Sequence, residues 1–545
     1  MNITEALKTR RIFFDGAMGS MIDPADIPEG NIPESMLLVC PGKIEKIHRA
    51  YIDAGADVII TATFGANRAK LSKYGMTVKE IYDAGVKCAR KACEGAGREI
   101  WIAGDIGPLG RLLSPIGDLP FEDAYDMFYE MAKCAEEAGA DFLLIETMND
   151  AYELRAAVLA AKEASSLPIA ATVVVDENGK LLTGAPIEAV GALLEGLGAD
   201  VCGINCGFGP DKAVEAVKRL YYSCSLPIVS EPNAGLPRAT ASGGAVYDMD
   251  AETYADWQVK IAPYTHAQGG CCGTTPDYIR ILRERCGSIP VPAEREFTKT
   301  VVTSGMEAVE IGPDHPVIIG ERINPTGKKL LKEALRSGDI GYILNEGIRQ
   351  QENGAHILDV NTGMPGISEA DAMVNVLHQL QGVISCPVQI DTMDPTAMER
   401  ALRMVNGKPL INSVNGKAES MSTVFPLAAK YGGVVVGLTL DEDGIPETAE
   451  GRYAIAEKIV RTAGEYGIKK NDIIIDPLCM AVSAGVPADV TLDAITLIKE
   501  RLGVNTILGV SNISFGLPER ENINAAFFSM ALKAGLTAAI VNPLS

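Results

Sequence analysis

Phe142-Leu143-Leu144-Ile145-Glu146-Thr147-Met148 is a short apolar run ending in a carboxylate and a hydroxyl, and an Ala/Glu/Lys-rich stretch, 151–164, follows it. A run of this length bounded by polar residues suits a buried strand of a parallel sheet, and the stretch after it has helix-forming composition. The unit recurs along the chain. Strand-like runs lie at 12–17, 58–64, 101–107, 142–148, 169–175, 201–206, 227–233 and 269–275. A second set lies at 317–324, 357–363, 387–392, 409–414, 434–440, 472–478, 506–513 and 538–543. Eight strands with intervening helices over roughly 250 residues are the pattern of a (β/α)8 barrel. The expected fold is therefore α/β, with two consecutive (β/α)8 TIM barrels in a chain of 545 residues. A doubly wound sheet is the alternative for either half, but neither first strand is followed by a G-x-G-x-x-G turn. The expected domains are 1–286 and 317–545. Between them 287–316, with Pro290, Pro292 and Pro313, reads as a linker that carries a hairpin turning at Ser304-Gly305.

In such a barrel the chemistry sits at the carboxyl ends of the strands. The ends of the first set carry Asp15, Thr63, Asp105, Glu146, Asn205, Cys206, Glu231, Asn233, Cys271 and Cys272. In Gly269-Gly270-Cys271-Cys272-Gly273-Thr274-Thr275-Pro276 two adjacent thiols are wrapped in glycine, which lets both sulfurs turn onto one soft cation. Cys206, at another strand end and also followed by glycine, is the best third ligand. Three thiolates with one open position describe a catalytic zinc, and Asn233 is placed to fill that position until substrate displaces it. The plain alternative is that cysteines are common core residues, and of the 12 in the chain Cys40, Cys88, Cys93, Cys134, Cys224, Cys286 and Cys386 read as inert. Each acid taken alone is as readily a helix cap or an ion-pair partner.

The ends of the second set carry Glu321-Arg322-Ile323-Asn324, Asp359, Asn361, Asp391, Asn412, Asp476 and Ser511-Asn512. Carboxylates and amides at a barrel mouth suit a flat nitrogen heterocycle with alternating donors and acceptors, such as a pterin. A formal charge of -22 argues against nucleic acid and anionic membrane surfaces as partners. No signal core or run of 18 apolar residues occurs, and the cysteines follow no disulfide pattern, so a cytoplasmic protein is expected.

Asp15-Gly16-Ala17-Met18-Gly19, Glu146-Thr147, Gly203-Ile204-Asn205-Cys206, Glu231-Pro232-Asn233-Ala234-Gly235 and Gly270-Cys271-Cys272-Gly273-Thr274-Thr275-Pro276 together resemble the homocysteine methyltransferase family across the whole first half. The resemblance implies zinc on Cys206, Cys271 and Cys272, with Asp15 and Glu146 holding the amino group of homocysteine. One departure is Ala62, where family members often carry Asn. The second half resembles the pterin-binding barrel of dihydropteroate synthases and methyltetrahydrofolate:corrinoid methyltransferases. Ile319-Gly320-Glu321-Arg322-Ile323-Asn324 and Ser511-Asn512-Ile513-Ser514-Phe515-Gly516-Leu517-Pro518 are similar to the methyltransferase branch. That likeness implies pterin contacts from Glu321, Asp391, Asn412 and Asp476, places Asn512 near N5, and gives Arg520 the rest of the folate.

The order of the two barrels is similar to the amino-terminal half of the cobalamin-dependent methionine synthases. It implies that a methyl group passes from 5-methyltetrahydrofolate to a corrinoid and on to zinc-bound homocysteine. No D-x-H-x-x-G stretch, the corrinoid signature of that family, occurs, so the cobalamin is expected on a domain or subunit outside this chain. The end at Pro543-Leu544-Ser545, where an eighth helix is expected, reads as truncation of the second barrel, with a natural short form beside a separate corrinoid subunit as the alternative. Three rivals follow from taking either half alone. A corrinoid-independent thiol methyltransferase leaves the second half idle, and a dihydropteroate synthase-like enzyme leaves the zinc idle. A non-catalytic folate- or metal-binding protein keeps both pockets without turnover.

Overall fold

The computed structural model describes residues 2–239, 245–485 and 487–545, and the chain divides into two compact units, Met1–Glu296 and Phe297–Ser545. The first unit runs through β1 (Ile12–Phe13), β2 (Val58–Ile60), β3 (Trp101–Ile106), β4 (Phe142–Met148), β5 (Ile169–Val173), β6 (Val201–Cys206) and β7 (Ile228–Pro232). A small antiparallel hairpin of β8 (Arg238–Ala239) and β9 (Ala245–Val246) follows, and then β10 (Ala267–Gln268). All but the hairpin form one eight-stranded sheet in the order β1-β10-β7-β6-β5-β4-β3-β2. A parallel bridge between Phe14 and Val58 joins its two ends and closes a barrel.

The second unit opens with an antiparallel hairpin, β11 (Thr300–Thr303) and β12 (Ala308–Ile311), at the place the Ser304-Gly305 turn predicts. The closed barrel follows: β13 (Val317–Ile323), β14 (Ile357–Val360), β15 (Val388–Asp391), β16 (Leu410–Asn415), β17 (Val434–Leu438), β18 (Ile473–Asp476), β19 (Asn505–Gly509) and β20 (Ala538–Val541), each parallel to its neighbours. The expected pair of TIM barrels is the observed fold.

Each barrel is plugged at the amino ends of its strands by the element that precedes it in the chain. In the first, the helix Ile3–Thr9, started by a capping box of Asn2 and Glu5, packs Ile3, Ala6 and Leu7 against Ile12, Trp101, Phe142 and Val201. In the second, hairpin residues Val302 and Ile311 pack against Val317, Ile357, Leu410, Ile474 and Ile507. Each fully buried aliphatic side chain contributes about 1.5–3 kcal/mol, which fixes the closed end and leaves the opposite mouth to carry polar residues.

Some strands are shorter than the sequence suggests, and the differences matter at the mouths. The run 12–17 is regular only over Ile12–Phe13 and the run 58–64 only over Val58–Ile60, so Asp15 and Thr63 stand on loops just past their strands. The run 269–275 is not a strand; β10 is Ala267–Gln268, a pair too short to give a strand signal, and the thiols follow it on a turn. Close packing at the glycines explains this, because a Cβ on Gly269 would meet Phe14 Cβ at 2.7 Å and one on Gly270 would meet Thr274 Oγ1 at 2.6 Å. The run 506–513 divides into β19 and a 3-10 turn, Val510–Ser514, that carries Asn512.

Candidate functional site

Three sulfurs meet at the mouth of the first barrel. The Sγ atoms of Cys206, at the end of β6, and of Cys271 and Cys272, just past β10, lie within 4.8 Å of one another, with Cys271 and Cys272 4.0 Å apart. Four sulfurs set tetrahedrally at about 2.3 Å from one ion are about 3.8 Å apart, so this donor set fits a soft divalent cation. Among the described residues it is the one cluster of three or more such groups. The backbone is bent to make it. Cys206 has φ +57°, a left-handed conformation costly for a side-chain-bearing residue, and Gly273 has φ +84°. Hydrogen bonds then lace the loops together: Cys271 N–H to Pro232 O at 2.9 Å, Ala234 N–H to Cys272 O at 2.9 Å, and Thr274 Oγ1 to Cys271 O at 2.7 Å. Within the triad, hydrogen bonds with Cys206 and Cys271 hold Cys272 far below an ordinary thiol, while hydrogen bonds with Cys206 and Cys272, and then burial, push Cys271 up.

Beside the thiols stand four carboxyl groups. Asp15, Asp105 and Glu231 are buried and Glu146 is half-buried. Burial raises all four, Glu146 to about 7, and their mutual repulsion adds to the rise in Asp15, Asp105 and Glu231. Glu146 adds to the rise in Asp105, while Asp105 opposes the rise in Glu146. Asn205 fixes Glu146 from the other side, donating from Nδ2 to Oε2 at 2.8 Å while its own Oδ1 accepts from Thr172 Oγ1 at 2.9 Å and Thr147 N at 3.0 Å. Asp15 Oδ2 accepts from Ile60 N at 3.1 Å. Its Oδ1, Glu231 Oε2 and Asn233 Oδ1 are buried without a protein partner. Buried acceptors left unmatched are costly, so this arrangement is built for a cationic ligand group next to the sulfurs.

The mouth of the second barrel is lined by amides and acids. Asp391, at the end of β15, accepts at Oδ2 from Asn361 Nδ2 at 3.0 Å and from Asn324 Nδ2 at 3.3 Å, and burial raises its pKa. Asn412 lies beside it in the register of β15 with β16. Below them Gln389 Nε2 donates to the buried Asp359 Oδ1 at 2.7 Å. Asp476, closing β18, is pushed up to about 7 by burial, opposed by the hydrogen bond from Leu478 N at 2.7 Å and by Arg452. Leu478 takes φ +64° to deliver that bond, and Arg452 pins it by donating to Leu478 O at 2.7 Å. Glu321 is half-buried at the end of β13, where Lys328 Nζ bonds its carbonyl at 2.9 Å. Asn512 is exposed on the 3-10 turn. Arg520 is bound to that same loop, through Ser514 Oγ at 3.0 Å and Ser511 O at 2.9 Å.

Residues 12–286 match the family model for homocysteine S-methyltransferase. The chain belongs to the homocysteine S-methyltransferase family. Residues 320–542 of this family member match the model described as pterin binding enzyme. The chain is 32% identical over 578 residues to methionine synthase of Mycobacterium tuberculosis (strain ATCC 25618 / H37Rv), and 32% over 579 residues to methionine synthase of Mycobacterium leprae (strain TN). Each alignment covers 99% of this chain and 48% of the relative, so the chain spans about half the length of these curated relatives. Among solved structures, the metallated homocysteine methyltransferase MmuM of Escherichia coli is similar at 26% identity and TM-score 0.44, over 51% of this chain and 97% of that one. A dihydropteroate synthase from Xanthomonas albilineans is similar at 21% identity and TM-score 0.34, over 45% of this chain and 92% of that one.

Within this family member the structure brings Asp15, Glu146, Asn233, Cys206, Cys271 and Cys272 to one mouth, and Glu321, Asp391, Asn412, Asp476 and Asn512 to strand ends of the other barrel. Strand-end reasoning overlooked three contributors. Gln389 has a legible signal, since it precedes Asp391 by two in β15 and so faces the same way. Thr172 has a similar one in β5. Tyr247, whose ring packs on Gly273 next to Cys272, has none, because it lies past the β8–β9 hairpin.

Proposed function

We propose that this chain carries out the two methyl transfers of cobalamin-dependent methionine synthesis: from 5-methyltetrahydrofolate to a corrinoid, and from the corrinoid to homocysteine. The observation that carries the reading is the convergence of three thiol sulfurs on a cluster of buried, unmatched carboxylates, in a chain whose other barrel presents Asp391, Asn412 and Asp476. Residues 1–286 form the homocysteine half and 317–545 the pterin half, joined through 287–316.

Cys206, Cys271 and Cys272 would hold Zn2+, which would supply a lowered pKa to a thiol substrate so that its sulfur is nucleophilic at neutral pH. Asp15 and Glu146 take the substrate ammonium, which relieves the repulsion between them. Asn233, fixed by its N–H on Phe208 O at 3.0 Å, would yield its place to the substrate. In the second barrel Asp391, Asn412 and Asp476 meet the donor and acceptor edge of the pterin, Glu321 lines the same mouth, and Arg520 meets the remainder of the folate. Asn512 bonds N5, whose methyl leaves only when that nitrogen becomes a better leaving group, so its contribution grows in the transition state.

An in-line displacement needs its reacting atoms within about 3–3.5 Å, and the two substrates have separate mouths built on separate barrels. A mobile corrinoid, bound by a domain or subunit outside this chain, satisfies that requirement. The test supplies the carrier. The zinc-loaded chain with methylcobalamin and homocysteine is expected to form methionine, and with methyltetrahydrofolate and cob(I)alamin to form methylcobalamin. Failure of either reaction with properly loaded protein contradicts the proposal.

A further inference from the structure

Cys224, which reads as inert in the sequence, meets a second thiol in the fold. It follows the helix Pro210–Ser223 and comes just before Pro227, whose carbonyl accepts from Cys202 N–H at 3.0 Å as β7 runs alongside β6. The Sγ atoms of Cys202 and Cys224 are 3.5 Å apart. Both residues are free cysteines and both are buried, at 0% and 2% exposure. Cys202 is near the start of β6 and Cys206 ends it, so this pair lies toward the closed end of the barrel and the metal thiols at the open one. A cation stands beside it. Arg295 donates from Nη2 to Leu226 O at 2.8 Å and lies 3.5 Å over the Tyr221 ring, which sets the guanidinium against residues on either side of Cys224 in the chain. Its Nη1 is buried without a protein partner, a donor free for an anion. Burial pushes the Cys202 thiol up, Cys224 adds to the rise, and the Arg295 charge opposes it.

We propose that Cys202 and Cys224 form a redox site that closes to a reversible disulfide when the chain meets a peroxide, with Arg295 steadying the sulfur anion that attacks. The inference does not rest on the zinc reading. A disulfide holds its sulfurs at about 2.05 Å, and side-chain rotation can close the remaining gap of about 1.5 Å. Entry is from the helix end: Tyr222, in the last turn before Cys224, is 61% exposed, and terminal turns open at low free energy. Cys224 Sγ attacks the peroxide, forming S–O, breaking O–O and releasing water. Cys202 Sγ then attacks the sulfenic sulfur, forming S–S, breaking S–O and releasing a second water. The pair gives up two electrons and two protons, and hydrogen peroxide is reduced to water. The closed ring contains Cys206 and the whole of the helix Pro210–Ser223, so oxidation ties the chain together around one metal ligand and leaves that ligand its thiol.

The test treats the full chain with hydrogen peroxide and maps its peptides by mass spectrometry without reduction. A Cys202–Cys224 crosslink is expected, and dithiothreitol should reverse it. Arg295→Gln should form the same crosslink about 3- to 10-fold more slowly, the change in thiolate fraction for about half to one pKa unit. A second readout is stability: the oxidised wild type should unfold at a higher denaturant concentration than the reduced form, because the crosslink constrains the unfolded chain, and Cys224→Ser should show no such difference. Free thiols at both positions after peroxide has oxidised the exposed Met393 overturn the proposal, as does a crosslink from either residue to any other cysteine. An Arg295→Gln chain that oxidises at the wild-type rate overturns the part given to Arg295.

Discussion

Asp476→Asn should make the ligand-free second barrel more stable while weakening its hold on folate. Burial raises this carboxyl from an ordinary 3.8 to about 7. At about 1.4 kcal/mol per unit, ionising it inside the fold costs about 4 kcal/mol above pH 7. Because the folded-state pKa is raised, the wild type loses this stability as pH climbs from about 4 to about 7 and is level beyond. Asparagine has the same size, cannot ionise, and keeps an oxygen for the Leu478 N–H. Allowing about 1–2 kcal/mol for burying the amide, the variant gains about 2–3 kcal/mol at pH 8 and is about 1 kcal/mol less stable than the wild type at pH 4. Hydrogen exchange of the β18 amides, measured on both proteins across this range, reads the difference locally. Isothermal titration with methyltetrahydrofolate at pH 8 should show affinity reduced at least about tenfold, since the carboxylate accepts N–H donors that an amide cannot match on both oxygens. A stability difference independent of pH would refute the burial argument, and unchanged folate affinity would refute the role.

Three further outcomes are expected. Cys206→Ser, Cys271→Ser and Cys272→Ser should each lose most of their zinc by elemental analysis, since each deletes one soft ligand from a set of three; full retention in all three sinks the metal assignment. Asn512→Ala should slow methyl transfer to cob(I)alamin by about 10- to 100-fold in single turnover with little change in folate Kd, and the opposite split would place Asn512 in ground-state binding. Gly273→Ala should destabilise the first unit by about 1–3 kcal/mol in chemical denaturation, because it needs φ +84° and the Tyr247 ring fills the space; wild-type stability would contradict that packing.

Much of this was legible in the chain because barrel strands announce themselves twice, by apolar runs and by the polar residue that ends them. Glu146, Cys206, Asp391 and Asp476 all close regular strands and were found that way. The vicinal thiols were found through their glycines, although their segment is a turn and not the expected strand; the true strand, Ala267–Gln268, faces a buried polar network and has no apolar run to show. Pairings across space were not legible. That Asp105 and Glu146 shift one another, or that Asn205 holds the Glu146 carboxylate, depends on how neighbouring strands stagger, which composition does not encode. Tyr247 packs on Gly273, beside the thiols, from a loop beyond a hairpin, where no periodicity operates.

The account stands on the methyl group travelling through a carrier between two mouths. The most direct measurement mixes isotopically labelled methyltetrahydrofolate with homocysteine and the zinc-loaded chain, first free of corrinoid and then with cobalamin added under reducing conditions. Labelled methionine is predicted only after cobalamin is added; its formation at a comparable rate without any corrinoid would contradict the account.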